Sequence, residues 1–411
     1  MAAVRGADLL RPPTSSGRAT FLELFFDLAF VVALTRVSQR FAGLSDDTGW
    51  ALVTGFGRTL LLFLALWLIW SHTAWITSRY EPEQPIIQAV VVGTMFAGLI
   101  MAVTLSRAME ERALAFAAAY LMVMVVRPLV VAAALRGHPR RLVPFRLAVW
   151  ASATTPLWLS GALGPDRLLL PLWAAALAID YLAWALGWPL PWLGASKVGR
   201  WRIAGTHLAD RYQQVFLIAL GESILVIGVV FGGTDYSYGR AAAFTVTFAT
   251  SALLWRIYFH RAGLLLTDPL ERADMPGRLG TLLERTHLLI VFSVLVTAVG
   301  YELVIDHPFG QPRPGWLLFV VGGPMLFLVA RMRLEYEIFG RVSRSRAIGF
   351  VALLLFTPAL ARWAPMVGLS VVAGVLALVA LLDTRRSWGQ PLEVPAPPVG
   401  RESTDVRDSE A

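Results

Sequence analysis

The chain contains no cysteine. That excludes disulfides, thiol nucleophiles, iron–sulfur ligation and c-type haem attachment. It is also short of charge: Asp, Glu, Lys and Arg make up 16% of the 411 residues, against about one quarter in an ordinary soluble domain. So little charge cannot cover the surface of a soluble protein of this length. Lysine is nearly absent, Lys197 being the sole one among 36 basic residues, a bias that reads as codon usage rather than function. No Walker A loop and no Gly-x-Gly-x-x-Gly turn occurs, which leaves ATP drive and a dinucleotide domain without support. Ser223 sits in no Gly-x-Ser-x-Gly elbow, against a serine hydrolase. The histidines show no metal-ligand spacing, so neither a metal nor another cofactor is expected. Nor is a cleavable signal peptide, because the first apolar run begins at Phe21 and carries Glu23 and Asp27.

What is present is apolar sequence. Hydrophobic residues make up 56% of the chain and the mean hydropathy is +0.62. Runs of about twenty apolar residues span a bilayer core as helices, and backbone groups in lipid must be satisfied within the segment or in a closed barrel. These runs are long and continuous rather than short and alternating. The expected fold is therefore all-α, a polytopic transmembrane helix bundle. Spans are expected near 21–41, 50–75, 85–105, 112–135, 143–163, 168–188, 207–230, 240–261, 282–305, 314–334, 345–363 and 365–383, twelve in all. The count is least secure at residues 36–50 and 345–383, where Arg36 and the Ala364-Pro365 turn fall.

The net charge of +8 is explained by loops rather than by nucleic acid. With the N-terminus inside, twelve spans put Arg5, Arg11, Arg18, Arg79, Arg136, Arg140, Arg141, Lys197, Arg200, Arg202, Arg261, Arg272, Arg278, Arg333, Arg341, Arg344, Arg346, Arg385 and Arg386 on the inner side, 19 residues. The outer side receives Arg36, Arg40, Arg107, Arg112, Arg167, Arg240, Arg313 and Arg362, 8 residues. Cytoplasmic loops are the basic ones, so both termini are expected in the cytoplasm. Residues 1–17 are rich in Arg, Pro and Ser, and residues 388–411 are Pro-rich and then charged. Both are expected to be disordered cytoplasmic tails around a transmembrane domain at 18–387.

Leu66-Trp-Leu-Ile-Trp-Ser-His72 resembles Leu254-Trp-Arg-Ile-Tyr-Phe-His260. Asp27 and Glu222 each precede an aliphatic run, and Arg127 and Arg331 each fall late in a span. These correspondences suggest two parallel six-helix halves, an arrangement common in transporters.

Charges inside a span cost several kcal/mol and tend to face a partner or a cavity. Glu23 and Asp27 are four residues apart and share a helix face. Asp180, Asp210, Arg211 and Glu222 follow, with Arg58, Arg127, Arg256 and Arg331. Arg256, His260, Arg285 and Arg331 have a plain alternative, snorkelling to the interface. His72 reads more simply as a polar contact between helices. Asp27 and Glu222 cannot reach the interface so readily, and a functional or buried ion-pair role is expected of them. Gly221, Gly228, Gly232 and Gly233 give their span a small-residue face suited to close helix contact. Arg127-Pro128 is expected to kink its span and free a carbonyl.

Glu23-Leu-Phe-Phe-Asp27-Leu-Ala-Phe30 resembles the opening signature of the bacterial low-temperature-requirement A (LtrA) family. His207-Leu-Ala-Asp-Arg211-Tyr with Phe216-Leu-Ile-Ala-Leu-Gly-Glu-Ser-Ile-Leu-Val-Ile-Gly228 resembles its central signature, and His287 with Ala298-Val-Gly300-Tyr-Glu302 resembles a third block. Asp210 departs from the commoner Glu but keeps the charge. The likeness runs from about residue 18 to 385 and implies a multi-pass bacterial inner-membrane protein associated with growth at low temperature. It supplies no substrate, reaction or catalytic residue.

The function expected is a secondary transporter or permease for a small solute or ion, more readily than an enzyme. Asp27, Glu222, Glu23 and Asp210 are the candidates for binding substrate or ion, and Arg127 and Arg211 the candidate counter-charges. His72, His260 and His287 form the polar interior. Its partners are the lipid bilayer and that solute, not nucleic acid. An intramembrane enzyme acting on lipids, with these histidines as acid–base groups, is the alternative. A structural or sensory membrane protein is the third.

Overall fold

The computed structural model describes residues 8–12, 17–197, 199, 201, 204–272, 275–311, 313–391 and 393–398. Arg5, Arg200 and Arg202 of the inner-loop set lie outside them, as do residues 1–7, 13–16 and 399–411 of the two tails.

Among the described residues the chain is helical and carries no strand, only two isolated bridges, Leu10 with Tyr80 and Leu190 with Gly194. The helices are α1 (Phe21–Ala42), α2 (Gly49–Arg79), α3 (Pro85–Thr104), α4 (Ala113–Leu121), α5 (Arg127–Ala134), α6 (Leu142–Leu163), α7 (Asp166–Leu186), α8 (Gly205–Gly232), α9 (Tyr238–Phe259), α10 (Thr267–Arg272), α11 (Pro276–Asp306), α12 (Gly323–Phe339), α13 (Arg344–Leu360) and α14 (Pro365–Ser387). A π-helical turn at Met122–Val126 joins α4 to α5, and another at Leu318–Gly322 leads into α12. Every segment expected to span holds a helix. Among the described residues, eight helical segments are long and apolar enough to cross a membrane: α2, α3, α4–α5, α7, α8, α9, α11 and α14. The other four expected spans hold α1, which carries Glu23, Asp27, Arg36 and Arg40, α6, and α12 and α13 at 17 residues each; α10 is a six-residue helix between spans. The chain is an all-α, multi-pass membrane protein.

Two helices outrun the hydropathy that announces them. α2 and α11 are 31 residues each, longer than the expected 50–75 and 282–305. Thr77, Ser78 and Arg79 close α2, all buried, and Gly277 and Gly280 open α11, also buried. Polar residues facing the protein interior end an apolar run without ending a helix.

α1 shows how such a helix is built. Phe21, Phe25 and Leu28 are 91%, 55% and 65% exposed, whereas Glu23 and Asp27 are 1% and 2% exposed. A helix with its carboxylates inward and its aromatics outward suits lipid rather than water. Its start carries one half of a capping box: the Thr20 amide and hydroxyl donate to Glu23 Oε2 at 2.8 and 3.0 Å, which satisfies a helix-end donor.

The described parts of the tails are placed against the helices. In the first, Leu9 is buried and the Arg11 amide donates to the Arg79 carbonyl at 3.1 Å. In the second, the Ala396 amide donates to the Ile338 carbonyl at 2.9 Å, and Glu393 pairs with Arg341.

The chain divides into two compact units, residues 1–40 with 54–208 and residues 41–53 with 209–411. In the first, α2 meets α7 through the Tyr181 hydroxyl and the Leu64 carbonyl at 2.9 Å. In the second, α9 meets α14 through Arg256 and the Thr384 hydroxyl at 2.9 Å. In the first, Arg127 of α5 donates to the Thr73 hydroxyl of α2, next to His72, at 2.9 Å. In the second, Arg331 of α12 donates to the Ile257 and His260 carbonyls at 3.0 and 2.6 Å. Each unit thus places an arginine from its fourth long segment against the C-terminal part of its second. Each fourth segment also contains a π turn just ahead of a proline, Pro128 or Pro324. Proline lacks the N–H for the preceding turn, and a π turn absorbs the mismatch. These pairings within each unit match the correspondences read in the sequence.

The small-residue face of α8 is not a packing face. A Cβ added at Gly221, Gly228 or Gly232 would meet nothing within 4 Å among the described residues. Close approach occurs at other glycines. A Cβ at Gly300 of α11 would lie 2.8 Å from the Phe319 carbonyl oxygen, and one at Gly323 would lie 2.7 Å from the Thr297 amide nitrogen. The π turn and α12 therefore press backbone to backbone on α11, which gives Gly300 of the third signature block a structural reason.

Candidate functional site

The first unit brings Glu23 together with a residue that sequence reasoning left out of the candidate set. His207, at the start of α8, places Nε2 3.0 Å from the Glu23 carboxylate and Nδ1 2.9 Å from the Ser78 hydroxyl. The Ser78 hydroxyl has one proton and donates it to the Ala74 carbonyl at 2.7 Å. It must accept from His207, so Nδ1 carries a hydrogen. A neutral imidazole then offers a lone pair at Nε2. The short contact to Glu23 therefore holds one further proton, on the imidazole as an ion pair or on the acid as a neutral pair. Glu23 and His207 are 1% and 0% exposed, so this proton is shielded from water. His207 opens the central signature block, and that was the signal available for it.

One turn further along α1, Asp27 accepts from the Trp70 indole at 3.0 Å. Asp180, also in this unit, accepts from the Tyr120 and Thr154 hydroxyls at 2.8 and 3.0 Å, which suits a structural acid. His72 places Nδ1 2.7 Å from the Leu68 carbonyl. Arg127 bonds Thr73 rather than a carboxylate, and no Asp or Glu is bonded to it among the described residues.

In the second unit Asp210 and Arg211 both engage Gln214, at 3.0 and 3.3 Å. Asp210 is half-buried and Arg211 fully buried. Glu222 lies eleven residues further along α8, about 16 Å at 1.5 Å per residue, and is fully buried. Next to it, the Ser223 hydroxyl donates to the Leu220 carbonyl at 2.8 Å and lies 3.2 Å from the Ser251 hydroxyl. No histidine is bonded to it among the described residues, and its one proton is committed to a carbonyl.

His287 is held on three sides. Nδ1 lies 2.7 Å from the Leu283 carbonyl, so it must donate, and Nε2 therefore accepts from the Tyr258 hydroxyl at 2.9 Å. Tyr212 stacks on the ring with 4.7 Å between centroids. A ring with both nitrogens committed has none left for acid–base work. His260 is joined to Arg256, Nδ1 to Nη1 at 3.1 Å.

Arg331 does not take the snorkelling alternative. The side chain is fully buried and turns back onto the last carbonyls of α9, which lack intrahelical partners and sit at the negative end of the helix dipole. Around it α12, α13 and α14 are tied by a network of which sequence reasoning singled out only Arg346, as one of the inner-side basic residues. Arg346 pairs with Glu335 and with Asp383, the latter at 2.7 Å. The Ser345 hydroxyl donates to Asp383 at 2.5 Å and the Ser343 amide to Glu335 at 3.1 Å. Arg341 lies outside the helices, and its hydrogen bonds to Glu393 hold its guanidinium above the usual range.

The comparisons agree with the signature blocks. Residues 18–381 match the family described as "Bacterial low temperature requirement A protein (LtrA)". A curated relative from Rhizobium meliloti (strain 1021), "Uncharacterized protein RA0937", is 32% identical over 389 residues, covering 92% of this chain and 93% of that protein. No solved structure matches the chain. With the opening and central glutamate-bearing signatures in place on α1 and α8 and the family match running over residues 18–381, the chain belongs to the bacterial low temperature requirement A (LtrA) family.

Proposed function

We propose that this protein is a secondary transporter or permease of the bacterial inner membrane, moving a small solute or ion. The observation that carries the reading is the recurrence of a fully buried carboxylate on the first helix of each unit, Asp27 on α1 and Glu222 on α8. Buried acids are costly in lipid and mark ion or proton pathways. The repeated helix pairings support it, since internal repeats are a transporter habit. So does the proton held between Glu23 and His207.

In this reading Asp27 and Glu222 bind the proton or the cationic group, and Glu23 with His207 stores a proton. Asp210 contributes charge on α8, balanced by Arg211. All twelve long helical segments cross, both termini lie in the cytoplasm, and the transmembrane domain runs over 18–387. The arginines of the inner loops favour that orientation. Loss of the protein is expected to impair growth in the cold. An enzyme acting on lipids gains no support from His287.

The test is uptake in proteoliposomes carrying wild type or Glu222→Gln across a panel of radiolabelled cations, amines and organic acids under an imposed pH gradient. The reading expects one class to accumulate with wild type and at least tenfold less with the variant. If no solute moves with wild type, or the variant transports equally, the reading is wrong.

A further inference from the structure

Within the first unit a cavity of about 40 Å³ lies between α2, α5, α6 and α7, beneath the segment that follows α7. At roughly 10–15 Å³ per water it holds about three waters, the room of a short organic acid. Its walls are tryptophans: Trp75 of α2, Trp184 of α7, and Trp188 and Trp201 of the connecting segment. Trp75 and Trp188 both meet Trp184 edge-on, with ring centroids 5.5 and 5.0 Å apart.

Two guanidinium groups line this apolar space, and no Asp or Glu does so among the described residues. Arg79 stacks on Trp201 at 3.7 Å, and no Asp or Glu is paired with it among the described residues. Arg127 is 5% exposed and spends one nitrogen on the Thr73 hydroxyl. Its Nε and Nη2 have no partner among the described residues. A buried donor left unmade costs about 1–3 kcal/mol, more on a charged group, and a buried charge without a partner is costlier still. His72 lines the same cavity and its Nε2 is also without a partner there. The Leu68 carbonyl fixes the hydrogen of neutral His72 on Nδ1, so Nε2 accepts from a ligand hydroxyl or from a bound water.

We propose that this tryptophan-walled cavity is a binding site for a short-chain monocarboxylate. The carboxylate takes the two free donors of Arg127, the fork geometry that guanidinium offers to carboxylates. The alkyl part lies against Trp184 and Trp188. The size sets the class, since an inorganic anion leaves the tryptophans unmatched and a long acyl chain exceeds the volume. The site lies in one unit and its occupancy is an equilibrium property, so it stands or falls independently of transport.

Calorimetric titration of the full chain in detergent tests this with propionate as ligand. Propionamide is the uncharged isostere, inorganic phosphate the anion without an apolar part, and laurate the long chain. The expected result is saturable propionate binding, at least tenfold weaker for the other three. Arg127→Gln should weaken propionate at least tenfold, and Trp188→Leu, outside the helices, several-fold. If Arg127→Gln does not fold, Trp188→Leu and the propionamide comparison decide. No saturable binding to wild type overturns the proposal, as does propionamide binding as tightly as propionate, laurate binding more tightly, or propionate affinity unchanged in every folded variant.

Discussion

At the scale of single residues, the buried charges separate into two kinds. Arg346, Glu335 and Asp383 satisfy one another with donors and acceptors to spare. Removing one partner leaves a buried charge behind, which costs about 3–5 kcal/mol. Arg346→Ala is therefore expected to lower the detergent melting temperature sharply, whereas Arg346→Ala with Asp383→Ala and Glu335→Ala should recover part of the loss. Glu23 does two jobs. Glu23→Gln keeps a hydrogen-bond acceptor for the Thr20 amide, so the start of α1 should lose no more than about 1 kcal/mol. It removes the acid that shares a proton with His207. The imidazole should then show one protonated and one unprotonated nitrogen by ¹⁵N NMR, and a spectrum unchanged from wild type would contradict the shared proton. Most of the charged residues described here were legible as charges in apolar sequence. Their partners were not, because partners such as Trp70, Ser78 and Tyr258 are chosen by helix packing and carry no spacing of their own.

At the scale of elements, helix existence and order were legible from hydropathy alone, and the places where the expectation failed share a physical origin. α2 continues beyond its apolar core because its end is polar toward protein, and α11 starts ahead of its own on buried Gly277 and Gly280. The glycines of α8 looked like a contact face and meet open space, while Gly300 and Gly323 drew no attention as packing residues and meet backbone. A glycine in sequence tells that a neighbour could come close, not that one does. Gly300→Ala and Gly323→Ala are expected to cost about 1–3 kcal/mol through overpacking. Gly221→Ala should be neutral or gain up to about 1 kcal/mol from helix propensity. Melting curves of the three variants check this contrast, and equal losses at all three positions would contradict it. The π turns were foreshadowed by Arg127-Pro128 but not by Gly323-Pro324, whose apolar setting gave no cue.

At the scale of the whole molecule, the account rests on a membrane protein in which each unit repeats a helix pattern around buried acids. The absence of cysteine makes topology simple to measure. With twelve crossings and the N-terminus inside, Ser237→Cys and Arg362→Cys should react with an impermeant maleimide in intact spheroplasts, and Ser387→Cys only after permeabilisation. Labelling of Arg362→Cys only after permeabilisation would mean that α13 and α14 do not cross. The central claim is that buried carboxylates carry a solute or ion across the membrane, and uptake by proteoliposomes with and without Glu222→Gln addresses it most directly. Gradient-driven accumulation by wild type, reduced at least tenfold in the folded variant, is the predicted result. Wild-type vesicles that accumulate nothing from the panel, or a variant that accumulates as well as wild type, would contradict it.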